Sequence, residues 1–386
     1  MGWRESLLEK FGPGFAGGIT SGDWMRLLWE NGFRVHPRCW PKAASATLCS
    51  LANTPLRWLE HWLYDRRLAA RPIKPPLFVL GHFRNGTTHL HNLLAVDRRF
   101  CYPRASQVVM PHNFLLAERV MSAVGSFLLP RTRFGVDNMA LRPDSPSEEE
   151  SALGLMTGCS PYLGWMFSER AEHYRRYLTF RGIPVQEVER WKAAYVAVVR
   201  KLSWKDERPL VLKSPPNTCR IRLLLEVFPE AKFIHIHRDP YVVYQSTMHL
   251  MVCFLKMHSF QRPNFADLHR RVIQQYQTMY EVFFEERDLI PAGRYCDVAF
   301  QELEADPVGQ MRRVYQELDL PDFAVVRPAL EEYVRSLDGY RKNVYPELST
   351  EMRSEIAQAW RRCLDEWQYP IGPPSGLESG TTESRP

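Results

Sequence analysis

What this sequence lacks narrows the field before any motif is read. Its eight cysteines, at 39, 49, 101, 159, 219, 253, 296 and 363, form no CxxC pair and no zinc-like spacing. A disulfide framework or a zinc module needs such clusters, so the thiols are expected to be reduced and mostly buried. No stretch approaches the ~18 uncharged apolar residues that span a bilayer. The nearest, Leu115 to Leu129, is interrupted by Glu118 and Arg119. The opening MGWRESLLEK has neither the basic stretch nor the apolar run of a secretory signal, and a cytoplasmic location is expected. It carries only the loose M-G-x-x-x-[ST] acylation pattern, through Gly2 and Ser6. Internal repeats and a linker of distinct composition are also missing. One domain with helical additions is the expected organisation.

The rest of the composition is that of a globular protein: 386 residues, 45% hydrophobic and 24% charged. A net charge of +6 favours anionic ligands but is too diffuse to indicate nucleic acid. Aromatic residues make up 12%, with 11 Trp, which suits a large core or an apolar pocket.

Residues 1–18 read as a loose, Gly-bearing lead and 19–65 as amphipathic helix. Ser21-Gly22-Asp23 offers a cap, and Trp24, Leu27, Leu28 and Phe33 an apolar face. Leu48, Leu51, Leu56, Trp58, Leu59 and Trp62 continue that face. Residues 1–74 are therefore expected to form a helical collar packed on the core. The alternative is peripheral contact with a membrane surface, given Arg34, Arg38 and Lys42 nearby.

Residues 75–370 carry the α/β pattern. Leu77-Phe78-Val79-Leu80 is a short apolar run that suits a buried strand. A polar loop, Gly81 to Thr88, leads to a helix over His89–Leu94. Strand, glycine-bearing loop and helix together form a phosphate cradle, because loop N–H groups and the positive helix end face one anion. A Walker loop needs G-x-x-x-x-G-K-[ST]. Gly81 and Gly86 keep that spacing, but Thr87 replaces the lysine, and the cation is Arg84.

Two further strand-to-helix units follow. Leu210–Leu212 ends in Lys213-Ser214-Pro215-Pro216, with a helix predicted over Asn217–Phe228. Ala231–His237 ends in Arg238-Asp239-Pro240 before another helix. Such units predict a parallel sheet, whose ligands gather at the carboxyl ends of its strands. Gly81–Thr88, Lys213 and Arg238 all stand at such ends. Helices are also predicted over Glu187–Leu202, His269–Glu286, Asp306–Leu318 and Thr350–Trp367, and an outer strand over Arg294–Phe300. The tail, 371–386, is expected to be disordered.

A general base remains to be found. In Asp144-Ser145-Pro146-Ser147-Glu148-Glu149-Glu150, either serine can cap a helix, Pro146 fits a first turn, and acids enrich the start. Glu149 and His112 are ranked first as bases, with Glu150, His89 and His91 behind them.

These stations resemble the superfamily of sulfotransferases that use PAPS (3′-phosphoadenosine 5′-phosphosulfate). Arg84-Asn85-Gly86-Thr87-Thr88 is similar to its 5′-phosphosulfate loop, usually [KR]-[SAG]-G-[ST]-[ST], with Asn85 in place of the commoner serine. KFIHIHRDPYVVYQS is similar to its 3′-phosphate motif, in which Arg238 is followed eight residues later by Ser246. Lys213 matches the family's lysine at a strand end, and Tyr340-Arg341-Lys342-Asn343 its late basic loop. LKSP most resembles the bacterial-type branch. Pro215 stands where a catalytic histidine would, so no base is carried over from the motif.

The resemblance implies a P-loop-like parallel sheet flanked by helices, with extra helices at both ends. It implies PAPS as co-substrate, with Arg84, Asn85, Gly86, Thr87 and Thr88 on the 5′ side and Arg238, Ser246, Arg341 and Lys342 on the 3′-phosphate. Lys213 and Arg84 would be catalytic. No metal is required, since these cations supply the countercharge. The acceptor is expected to be a small-molecule or lipid-like hydroxyl or amine. A P-loop-type nucleotide kinase and a non-catalytic PAPS-binding member are the rivals. Calorimetric titration separates the first of these: 3′,5′-ADP should bind more tightly than ATP, and the opposite order would reject the sulfotransferase reading.

Overall fold

The computed structural model describes residues 10–118, 136, 139, 142–204 and 206–371. The Gly2–Ser6 pattern, much of the 115–129 run and the tail from 372 lie outside the described residues.

Among the described residues four strands make one parallel sheet: β1 (Leu77–Leu80), β2 (Val211–Lys213), β3 (Lys232–His237) and β4 (Tyr295–Ala299), in spatial order β2-β1-β3-β4. Phe78 lies opposite Leu212 on one side and Phe233 on the other. Alternate residues serve opposite faces of the sheet. Phe78, Leu80, Leu212 and Phe233 join the larger core cluster, while Leu77, Val79, Val211 and Ile234 join a second one. With both faces covered, all four residues of β1 are buried, which is why the sequence shows an unbroken apolar run. All eight cysteines are free thiols, five of them buried.

The longer helices are α1 (Ser21–Glu30), α2 (Trp40–Ala69), α3 (Thr87–Ala95), α4 (Glu149–Thr157), α5 (Val185–Leu202), α6 (Ile221–Val227), α7 (Pro240–His258), α8 (Leu268–Glu286), α9 (Pro307–Glu317), α10 (Phe323–Ser336), α11 (Thr350–Ala359) and α12 (Arg361–Glu366). Capping side chains fix several starts. Asp239 accepts from the Tyr241 N–H and Asp306 from the Gly309 N–H, each with a proline in the first turn.

Five local expectations are corrected. The lead is not loose at its end: Gly14–Gly18 forms a 3₁₀ turn with Ala16 and Gly18 buried. Neither Ser145 nor Ser147 caps α4. The Ser145 hydroxyl accepts from the Arg142 N–H, the Ser147 N–H bonds Pro103 O, and the helix starts at Glu149. The helix predicted over Asn217–Phe228 is a 3₁₀ turn, Pro215–Cys219, followed by α6, because Arg220 turns inward between them. The final helix breaks at Trp360, whose ring stacks on Tyr276 at 3.8 Å and whose Nε1 donates to Ile273 O. The apolar residues expected to pack α2 on the core, Leu48, Leu51, Trp58, Leu59 and Trp62, are exposed, with Leu56 only half-buried. Helix α10 had no counterpart in the sequence reading.

Arg220 shows how the interior is held. Its Nη1 and Nη2 meet Glu150 Oε2 and Oε1 at 2.6 and 3.0 Å, with both side chains fully buried. Ser160 Oγ donates to Glu150, and Arg220 also donates to Tyr177 O and Leu178 O. The pair thus ties the turn after β2 to α4. Replacing Arg220 with Leu leaves Glu150 buried and uncompensated, and should cost roughly 3–5 kcal/mol of stability in urea titrations. An unshifted unfolding midpoint would show the pair to be dispensable.

Candidate active site

Because all four strands are parallel, their carboxyl ends share one edge, and the predicted basic residues meet there. The turn from β1 into α3 is tight. Arg84 has φ 70° and Gly86 φ 97°, both left-handed. A Cβ at Gly86 would fall 2.2 Å from the Phe300 ring, so only glycine fits. The helix begins at Thr87, two residues earlier than predicted, and its N-terminus points back into the loop. Successive N–H groups in such a turn form an anion-binding concavity.

Asn85 is turned away from this concavity. It is buried, and its Nδ2 donates to Ile236 O at 3.0 Å and to Tyr280 OH at 2.6 Å. It therefore pins the loop to β3 and α8.

One half of the site gathers around Arg84. Its Nε donates to Ser246 Oγ on α7 at 2.7 Å, and Arg238 Nη1 lies 3.4 Å from Arg84 O. The Arg238 guanidinium sits 4.2 Å over the Phe300 ring, and burial pulls its pKa below the usual arginine value. Ser246 Oγ also meets Tyr345 OH at 3.1 Å, and Tyr345 OH accepts from Asn343 at 3.2 Å. Lys342 lies 5.9 Å from the same Phe300 ring and pairs with Glu304. Arg341 is exposed on that loop. Loop, β3 end and the 340–345 segment thus form one basic wall.

The other half gathers around Lys213, at the end of β2. Its Nζ lies 2.5 Å from Glu148 Oε1 and 3.3 Å from Thr88 Oγ1. Tyr162 OH donates to the other Glu148 oxygen. Lys213 is 2% exposed and Glu148 22%, so the carboxylate is the member of the pair that opens to solvent. Tyr162 also lines a small apolar pocket with Phe15, Leu155, Leu163 and Met166. Its ring stacks on Trp165 at 4.2 Å and Phe15 at 6.0 Å.

The residues ranked first as bases are buried. Glu149 is fully buried, with Oε1 accepting from Tyr195 OH and Asn217 Nδ2 at 2.7 Å each and Oε2 from the Lys213 N–H at 3.2 Å. Burial pushes its pKa up. His112 is buried with its Nε2 3.6 Å from Asp23, and burial brings its pKa down to about 3. His91 is likewise buried and held neutral, with a pKa of about 3. Glu150 belongs to Arg220. Sequence reasoning missed Glu148, Tyr162, Phe300 and Tyr345. Glu148 stood beside the chosen residue, and only the helix phase separates the two.

If Asn85 anchors the loop, Asn85→Ala removes the amide that donates to Ile236 O and Tyr280 OH in the interior. The expected loss is about 1–3 kcal/mol of unfolding free energy in denaturant titrations. Wild-type stability would remove the clamp.

Residues 75–324 match the model of the Sulfotransferase family. The chain is 38% identical over 353 residues to the omega-hydroxy-beta-dihydromenaquinone-9 sulfotransferase Stf3 of Mycobacterium bovis, covering 91% of this chain and 90% of that one. The Mycobacterium tuberculosis counterpart matches with the same figures. In fold it is similar to the crystal structures of sulfotransferase STF9 from Mycobacterium avium (TM-score 0.65) and sulfotransferase STF1 from Mycobacterium tuberculosis (TM-score 0.59). Each is 17% identical and covers 92% of this chain, with 98% and 97% of the other chain matched. A four-stranded parallel sheet, a basic glycine-bearing loop at its carboxyl edge and these likenesses lead to one conclusion: the chain belongs to the sulfotransferase family.

Proposed function

We propose that this sulfotransferase takes its sulfuryl group from PAPS and delivers it to a hydroxyl on a lipid-like acceptor, with Glu148 as general base. One observation carries the reading: Lys213 stands between Thr88 of the 81–88 loop and Glu148, whose other carboxylate oxygen is held by Tyr162. Anion grip and proton acceptor are thereby one side chain apart.

The donor set fits a nucleotide that is anionic at both ends. The 81–88 loop with Thr87 and Thr88 would hold the 5′ side, and Arg238, Ser246, Arg341 and Lys342 the 3′-phosphate. When bound, PAPS supplies an activated sulfuryl group and 3′,5′-ADP as its leaving group. Lys213 and Arg84 place fixed positive charge where the departing oxygen gains negative charge, which favours the transition state over the ground state. Glu148, hydrogen-bonded to Lys213 and partly open to solvent, is the carboxylate placed to take a proton from an acceptor hydroxyl. Tyr162 fixes its second oxygen and orients it.

The acceptor class rests on two supports. Tyr162, which donates to Glu148, stacks with Phe15 and Trp165 in an aromatic cluster. A relative covering most of the chain is an omega-hydroxy-beta-dihydromenaquinone-9 sulfotransferase. An apolar chain ending in a hydroxyl suits both.

Labelled PAPS and an acceptor panel, from small phenols to ω-hydroxylated isoprenoid quinones, test this. Long apolar alcohols should be preferred, and preference for small phenols would reject the acceptor class. Glu148→Gln should lower kcat by ~10²–10⁴, the usual worth of a general base, with 3′,5′-ADP affinity unchanged. Full turnover in that variant would remove Glu148 from the mechanism.

A further inference from the structure

Helix α2 is built inside out. The side chains it buries are largely polar: Lys42, Ser50, Asn53 and Glu60, with Ala46 and Leu68. The polar ones find partners. Lys42 Nζ donates to Met257 O, Asn53 Nδ2 donates to Gly17 O and Ile19 O, and Glu60 pairs with Lys201 at 2.5 Å. The opposite face carries Trp40, Leu48, Leu51, Trp58, Leu59 and Trp62. Leu51, Trp58 and Trp62 follow the i, i+7, i+11 spacing of one helix side, and Leu48, Leu51, Leu59 and Trp62 the i, i+3, i+11, i+14 spacing of the same side. Trp58 is 69% and Trp62 79% exposed. Scattered exposed leucines need no explanation, but a continuous Trp/Leu stripe on a helix of about 45 Å does.

The charge around the stripe selects its partner. Between residues 31 and 75 stand eight Lys or Arg and two acids, and one of the acids, Glu60, is buried. Arg57, Arg66 and Arg67 are exposed on α2 itself, and Arg34 and Arg38 just before it. A second copy of this chain would bring like charge against like. An anionic lipid surface brings the opposite sign. Indole rings also favour the boundary between headgroups and acyl chains, and arginine stems reach from there to phosphates. No described helix is long and apolar enough to cross a membrane, so the contact is one of lying in the interface.

We propose that the Trp40–Trp62 face of α2 docks in the plane of an anionic bilayer surface. The docking would sit close to the cleft. Asn53, on the buried side of α2, holds the Gly14–Gly18 turn, whose Phe15 stacks on Tyr162 beside Glu148. An acceptor dissolved in the bilayer would then reach the pocket over one layer of protein.

Co-sedimentation with vesicles of mixed phosphatidylglycerol and phosphatidylcholine tests the docking without any turnover, so it stands or falls apart from the acceptor assignment. The wild-type chain should partition to these vesicles and less to pure phosphatidylcholine, with tryptophan emission shifted to the blue. Trp58→Ser with Trp62→Ser alters two exposed side chains and should leave the circular dichroism unchanged, while partitioning falls by about tenfold or more. Added salt should weaken binding through the arginines. Equal partitioning of the double variant would overturn the proposal. So would a concentration-dependent dimer in sedimentation velocity that the double variant abolishes while the wild type ignores vesicles.

Discussion

The parallel pairing of β2 against β1 is the constraint on which the cleft depends. Its register sets Val79 opposite Lys213, so the lysine leaves the sheet level with the start of the phosphate loop. Thr88, the second residue of α3, is then within reach of the ammonium group, and so is Glu148 from across the cleft. On the other flank, β3 ends at His237 and delivers Arg238 against the carbonyl of Arg84. Sheet register, rather than proximity in sequence, turns stations more than a hundred residues apart into one site.

Three consecutive glutamates take three different roles, and burial decides among them. A buried carboxylate must be paired, hydrogen-bonded or protonated. Glu150 is paired with Arg220, and burial raises the Glu149 pKa, which hydrogen bonds from neutral donors only partly offset. Glu148 stands at the helix cap, where the chain has not yet turned inward, and keeps one edge toward solvent. Two of the three therefore hold the end of β2 and the turn after it in place. The third meets Lys213 and keeps contact with solvent.

The same logic governs the N-terminal helices. Helix α2 contributes little apolar surface to the core and is held instead by buried polar partners. Burial raises the Glu60 pKa and lowers that of Lys201, and their mutual attraction opposes both shifts. Breaking such a pair costs more than making it gains, so it registers the helix strongly against α5 without adding much stability. With its polar groups turned in, the helix is free to turn its apolar groups out.

Local pattern was enough for much of the fold. An unbroken apolar run at Leu77–Leu80, β-rich segments ending in Lys213 and Arg238, and capped helix starts at Asp239 and Asp306 are short-range signals, and the elements follow them closely. The cation placed before Gly86 rather than after it, together with Arg238 and Ser246 eight residues apart, was readable for the same reason. The side of the chain that faces inward was not readable where polar residues have buried partners. Periodicity alone would turn the Trp and Leu stripe of α2 toward the core. The structure turns Lys42, Asn53 and Glu60 there, because Met257 O, Gly17 O and Lys201 wait for them. It also decides which glutamate meets Lys213, since the phase of α4 depends on Arg220, seventy residues further along the chain.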